Sequence, residues 1–122
     1  MQSKQCDCCT MQFRSPEEYK YIPQTSAIDV WALGGILFEL VTGEEAWFGY
    51  EDEVARKALV DGELPPLPEK IKNSSDPINQ VLLKAIDMCY VYDPKNRPKA
   101  GAVLEYLKQE SKRLGVEWKR VD

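Results

Sequence analysis

Histidine is absent from this sequence. That excludes any Ser-His-Asp or Cys-His nucleophile arrangement built from this chain, and any zinc site of the Cys2His2 kind. Nor is there a hydrophobic run of membrane length, since the most apolar stretch, Ile28 to Val41, falls short of the roughly 20 residues that a span requires. The amino terminus is polar and carries a cysteine cluster where a signal peptide needs an apolar core, so neither a leader nor a membrane partner is expected. A basic block is missing as well. The 16 basic and 20 acidic residues are spread along the chain to a net charge of −4, which gives nucleic-acid binding no support. Sustained apolar/polar alternation and internal repeats are also lacking, so strands and solenoids are not expected.

Cysteine is sparse: Cys6, Cys8, Cys9 and Cys89. The Cys6-Asp7-Cys8-Cys9 run offers three thiolates, but zinc wants a fourth ligand, and the remaining cysteine falls inside a predicted helix. Free thiols, reduced as in a cytoplasmic protein, are the favoured reading, with no metal. Two adjacent acidic pairs, Glu17/Glu18 and Glu44/Glu45, do not suit glycosidic acid/base chemistry, because neighbours on one turn cannot approach a bond from opposite sides. A solvated loop is expected for each.

What the sequence does contain is enough apolar residue, 43% of the chain, for one modest core. Pro16 and Pro23 break up the first 25 residues, which read as loop with a short helix at 16–20. A helix follows from a Ser26 cap, with Asp29 at its positive end and Gly43 as its stop. It is apolar on nearly every side, and a helix with no polar face belongs in a core. Gly34 and Gly35 inside it lower helix propensity by about 1 kcal/mol each, so something must approach the backbone there. A second, amphipathic helix is predicted over 51–60, with Val54, Ala58 and Leu59 on one face. Pro65, Pro66 and Pro68 make 63–75 a surface connection. Asp76-Pro77 starts a helix through Ile78, Val81, Leu82, Ala85, Ile86 and Cys89 that should end near Tyr92. After the turn Asp93-Pro94-Lys95-Asn96-Arg97-Pro98, a last helix carries Ala102, Val103, Tyr106, Leu107 and Leu114. The fold class is mainly α.

Three motifs then become specific. Thr10-Met11-Gln12-Phe13-Arg14-Ser15-Pro16-Glu17 resembles the T-x-x-Y-R-A-P-E end of the protein-kinase activation segment, with Phe13 for Tyr and Ser15 for Ala. Asp29-Val30-Trp31-Ala32-Leu33-Gly34 is similar to the D-V-W-S-x-G opening the central helix of the kinase carboxyl-terminal lobe. Asp93 to Pro98 is similar to the D-P-x-x-R-P near that lobe's end.

The resemblance implies an incomplete helical carboxyl-terminal lobe over residues 10–114, between a flexible cysteine-containing segment at 1–9 and a tail at 115–122. It implies that Glu17 pairs with Arg97 and pins the activation segment to the helical base. It implies that Asp29 holds the catalytic loop's backbone, with the plainer alternative of a carboxylate favoured by a helix start. Thr10 is implied to help position the substrate hydroxyl, and leans toward Ser/Thr specificity. Trp47 and Phe48 fall where the family often has Pro-Phe, packing the loop after the central helix.

Phosphoryl transfer in that family requires a Gly-rich loop, a strand lysine, an H-R-D-x-x-x-x-N loop and D-F-G. The sequence contains none of them. No residue here is therefore assigned a catalytic or cofactor-binding role, and ATP and Mg are expected only for a complete kinase. The leading expectation is the carboxyl-terminal part of a Ser/Thr kinase acting on protein substrates. The alternatives are a non-catalytic, pseudokinase-like module docking protein partners around Trp47, Phe48 and 51–62, or a non-functional truncated product. Self-association through uncovered apolar surface is also expected.

Overall fold

A computed structural model describes residues 11–20 and 25–116. A 3-10 turn at Met11–Phe13 leads into α1 (Pro16–Tyr19), α2 (Ala27–Thr42), α3 (Asp52–Val60), α4 (Glu69–Lys72), α5 (Pro77–Cys89) and α6 (Ala100–Arg113). Among the described residues there is no strand, and no helix is long and apolar enough to cross a membrane.

The centre of the fold is α2. Its stop is as read: Gly43 takes the left-handed conformation at φ 80°, and its N–H donates to the Glu39 carbonyl at 2.8 Å. Its start is not. Ser26 already has helical backbone (φ −61°, ψ −11°) and caps nothing, because a capping hydroxyl reaches the first amides only from extended backbone. The Thr25 hydroxyl accepts from the Ala27 N–H at 3.2 Å instead.

Both glycines of α2 are sites of close approach. A Cβ on Gly34 would lie 2.7 Å from the Tyr90 ring and 2.8 Å from Cys89 Cβ, at the end of α5. One on Gly35 would lie 2.5 Å from the Gln12 carbonyl oxygen. The two glycines let α5 and the 3-10 turn press onto the α2 backbone. Burial is nonetheless one-sided. Val30, Trp31, Leu37 and Phe38 are in the core, whereas Ile36 is 50% exposed and Leu40 68% exposed. The uncovered apolar surface expected from sequence is a 36/39/40 edge of α2, spaced i, i+3, i+4, which faces outward with two large aliphatics.

The remaining helices close the core. Asp76 caps α5 by accepting from the Ile78 N–H at 2.9 Å, with Pro77 at the first helical position. This helix ends at Cys89 rather than near Tyr92, because the chain turns so that Tyr90 packs on Gly34. The buried face of α3 is Ala55 and Leu59, not Val54, which is 53% exposed; the i, i+4 pair wins the core and leaves Val54 outside. Within the proline-rich connection the four-residue α4 forms directly after Pro68, whose fixed φ suits a helix start, and Pro65 is buried. Val103 anchors α6 while Ala102 stays exposed, and α6 ends at Arg113 with Leu114 as its C-cap. α5 packs across α2 on one side and against α6 on the other, while α1 packs on α3.

Candidate functional site

The site grows from two short polar segments that the fold brings together. At the first, Ser15 donates from both its N–H (2.6 Å) and its hydroxyl (2.9 Å) to the Glu18 carboxylate. With Pro16 next, this fixes the start of α1 and turns Glu17 inward. Neither glutamate is the solvated loop residue expected from sequence. Glu17 is buried and Glu18 is occupied by Ser15, since a capping arrangement needs the third residue and packing claims the second.

At the second segment, Asp93 organises its own turn. Its carboxylate accepts from the Lys95 N–H at 2.9 Å and the Asn96 side-chain amide at 3.2 Å, and its carbonyl accepts from the Asn96 and Arg97 N–H groups. Arg97 is thereby aimed into the protein, with its side chain fully buried. Nη1 donates to Glu17 Oε2 at 2.7 Å and Nη2 to Glu17 Oε1 at 3.0 Å. Nη1 also donates to the Ala27 carbonyl (2.8 Å), Nη2 to that of Tyr92 (3.2 Å) and Nε to that of Val91 (2.9 Å). All five guanidinium N–H groups are used.

The cation has an aromatic partner too. Its guanidinium carbon lies 5.0 Å from the Trp31 ring centroid, and Trp31 in turn packs on Tyr90 at 4.6 Å. One arginine therefore ties α1, the first residue of α2 and the α5–α6 turn around a buried indole. Burial pushes the neighbouring Cys89 thiol up to about 11, against the opposing charge of Arg97. Trp31, Tyr90 and the three carbonyls were not singled out by sequence reasoning for this role. Carbonyl partners leave no trace in side-chain patterns, whereas the Ser15-x-x-Glu18 spacing was readable as a capping signature.

Asp29 lies elsewhere. It is exposed in the first turn of α2 and makes no side-chain hydrogen bond among the described residues. It lines a recess of about 320 Å3 with Phe13, Arg14, Glu18, Ile28, Ala32 and Ile36. A second cleft, of about 270 Å3, lies over Glu17 and holds Lys20 and Tyr92. There the Tyr92 hydroxyl donates to the Val60 carbonyl at 2.5 Å and accepts from Lys20 Nζ at 3.3 Å. Thr10 and the 1–9 cysteine segment lie outside the described residues, as does the tail from 117 on. Among the described residues no group of three His, Cys, Asp or Glu is placed to hold a metal ion. What the arrangement does chemically is hold backbone in register, through an ion pair in which every guanidinium donor is satisfied.

Comparison with known proteins agrees with the order of the motifs. The sequence model of the protein kinase domain matches residues 1–107. The chain is 30% identical over 96 residues to a probable serine/threonine-protein kinase of Dictyostelium discoideum, covering 79% of this chain and 10% of that one. It is 29% identical over 80 residues to a mitogen-activated protein kinase kinase kinase of Pyricularia oryzae, covering 66% and 5%. It is also 30% identical over 101 residues to the insulin-like growth factor 1 receptor of Bos taurus, covering 82% and 15%. The chain thus spans only a small part of the length of these relatives.

Proposed function

Because this chain belongs to the protein kinase domain family, we propose that it serves as the helical base of a Ser/Thr-type kinase, on which the elements that transfer phosphate are seated. The observation that carries this reading is the buried fork between Arg97 and Glu17, which joins segments 80 residues apart. A buried arginine–carboxylate pair is directional, and it holds the end of the activation segment in one orientation. Thr10, two motif positions ahead of the described Gln12, would help place the substrate hydroxyl, and Asp29 would hold the catalytic loop. The serine/threonine assignment is supported by Thr10 and by the similarity to a probable serine/threonine-protein kinase. Protein hydroxyls are the substrate class, with ATP and Mg the cofactors of the complete enzyme.

These 122 residues alone do not transfer phosphate. Catalysis of this reaction is placement of phosphates, metal and hydroxyl, and the sequence contains no G-x-G-x-x-G, H-R-D or D-F-G. The purified chain, incubated with radiolabelled ATP, Mg and a generic protein substrate, should match its heat-killed control; incorporation above that control would overturn this part. For the larger reading the experiment is the 5′ sequence of the native transcript. An in-frame H-R-D and D-F-G ahead of Thr10 supports the kinase base, and a message without them overturns it. The same reading leaves the α2 edge at Ile36 and Leu40 uncovered, so self-association of the isolated chain is part of the proposal.

A further inference from the structure

Between Lys20 and Arg56 the chain has no lysine or arginine, and within that interval residues 44–53 hold five carboxylates. Against a net charge of −4 for the whole chain, everything outside that decapeptide together carries one net positive charge. The molecule's negative charge is thus gathered on the loop between α2 and α3 and the first turn of α3.

The same loop presents aromatic surface. Trp47, at φ 66°, is a non-glycine residue in left-handed backbone, a conformation that persists only where the surroundings hold it. Here the turn places the indole inside (8% exposed) and the next side chain outside, with Phe48 61% and Tyr50 46% exposed. The loop is braced. Thr42 Oγ1 accepts from the Glu44 N–H at 3.1 Å, the Phe48 N–H donates to the Glu45 carbonyl and the Tyr50 N–H to that of Trp47, both at 3.1 Å. Tyr50 meets Trp47 edge to face at 5.5 Å. Phe48 and Tyr50 border a recess of about 60 Å3, room for the tip of one side chain, together with Glu44, Glu45, Pro66 and Pro68.

Not all five acids are available to a ligand. Asp52 and Glu53 sit in the first turn of α3, where the helix dipole already favours them. Glu51 is the N-cap of that helix without a side-chain cap bond, and Glu44 and Glu45 have no such employment. They are exposed and form no ion pair or side-chain hydrogen bond among the described residues, and Lys70 and Lys72 of the nearby α4 do not pair with them. A fixed aromatic ledge bordered by the unpaired carboxylates of Glu44 and Glu45, with Glu51 following in the chain, complements one chemistry, an extended segment carrying arginine or lysine beside an aliphatic side chain. The cations meet the carboxylates and aromatic faces, and the aliphatic tip enters the recess. Because the loop is held before any partner arrives, binding requires little ordering of the loop itself.

We propose that the Glu44–Glu51 loop is a docking surface for a basic, aliphatic-containing peptide segment of a partner protein. It is independent of the ion pair between α1 and the α5–α6 turn, and of whether the chain belongs to an active enzyme.

The test uses the full 122-residue chain and a fluorescein-labelled peptide of alternating leucine and arginine, read by anisotropy. Two controls replace arginine by glutamate or leucine by serine. Saturable binding is expected that is absent with the glutamate peptide and weaker with the serine one. It should weaken as salt rises from roughly 50 to 500 mM. Glu44→Lys with Glu45→Lys should weaken it by about tenfold or more, and Phe48→Ser or Tyr50→Ser should weaken it too. The matched charge change Asp87→Lys with Glu105→Lys, both exposed on α5 and α6, should leave it within about twofold. Both aromatic side chains are exposed, so the variants are compared at matched far-UV circular dichroism. No binding, equal weakening by the two charge-reversal pairs, or indifference to both aromatic substitutions would each overturn the proposal.

Discussion

Arg97 shows what a single residue can decide. Its guanidinium lies beyond the reach of water, with five donors matched to two carboxylate oxygens and three carbonyls. Removing one member leaves the other's charge buried and unpaired. Arg97→Ala should therefore cost roughly 3–5 kcal/mol, a large part of the stability of a small domain. Arg97→Lys should recover little of this, because an ammonium cannot offer a planar fork. Urea denaturation followed by far-UV circular dichroism measures both, and a lysine variant as stable as the parent would show that the fork geometry is not what matters.

Buried thiol and phenol groups set a pH dependence, the Tyr90 phenol, which burial also pushes up, among them. Burial raises the Cys89 thiol from its ordinary 9.0 to about 11, and the Tyr19 phenol from 10.0 to about 12, Arg14 opposing the latter. Each group is held neutral in the fold and ionises more readily in the unfolded chain. Their contribution to stability is complete below pH 9 and is lost as pH rises toward 11 and 12. The urea midpoint should accordingly fall between pH 9 and 11. In the same window Cys89 should resist iodoacetamide in the native protein and react on denaturation, as read by peptide mass mapping.

At the scale of elements, the α2 glycines give a contrast with α6. Glycine to alanine in a helix ordinarily gains about 1 kcal/mol. At Gly34 the new methyl would meet the Tyr90 ring, and at Gly35 the Gln12 backbone, which cannot step aside. Gly34→Ala and Gly35→Ala should each destabilise by roughly 1–3 kcal/mol through overpacking. Gly101 lies in the first turn of α6 with nothing within 4 Å of its Cβ position. Gly101→Ala should stabilise by roughly 0.5–1 kcal/mol. Opposite shifts of the thermal midpoint would check the packing directly, and equal shifts would mean that α5 does not press on α2 in solution.

The elements themselves were legible where a local signal fixed them: Asp76-Pro77 opening α5, Gly43 closing α2, Pro16 ahead of the short α1. They were less legible where tertiary contact chose between local options. The face of α3 turned from Val54 to Ala55 and Leu59, α5 stopped where Tyr90 could reach Gly34, and the start of α2 was capped by Thr25 rather than Ser26. None of these choices has a cost visible in periodicity alone, because each trades one residue's neighbour for another's.

For the molecule as a whole, uncovered apolar surface is the main consequence. Ile36 and Leu40 project side by side from the outer edge of α2. The isolated chain should sediment as a concentration-dependent mixture, and Ile36→Gln with Leu40→Gln should shift it toward monomer without loss of helix content. A parent chain that is monomeric at every concentration would remove the prediction and the self-association proposal with it.

The sequence alone determined the helical class, the order of α1, α2, α3, α5 and α6, and the pairing partners Glu17 and Arg97, because proline and glycine signals and motif spacing act within a few residues or carry a family resemblance. Only the tertiary structure decided what surrounds that pair, which side of α2 stays open, and that Phe48 and Tyr50 stay exposed beside Glu44 and Glu45. Those outcomes depend on which surfaces meet across many residues, and burial is settled between elements rather than within them.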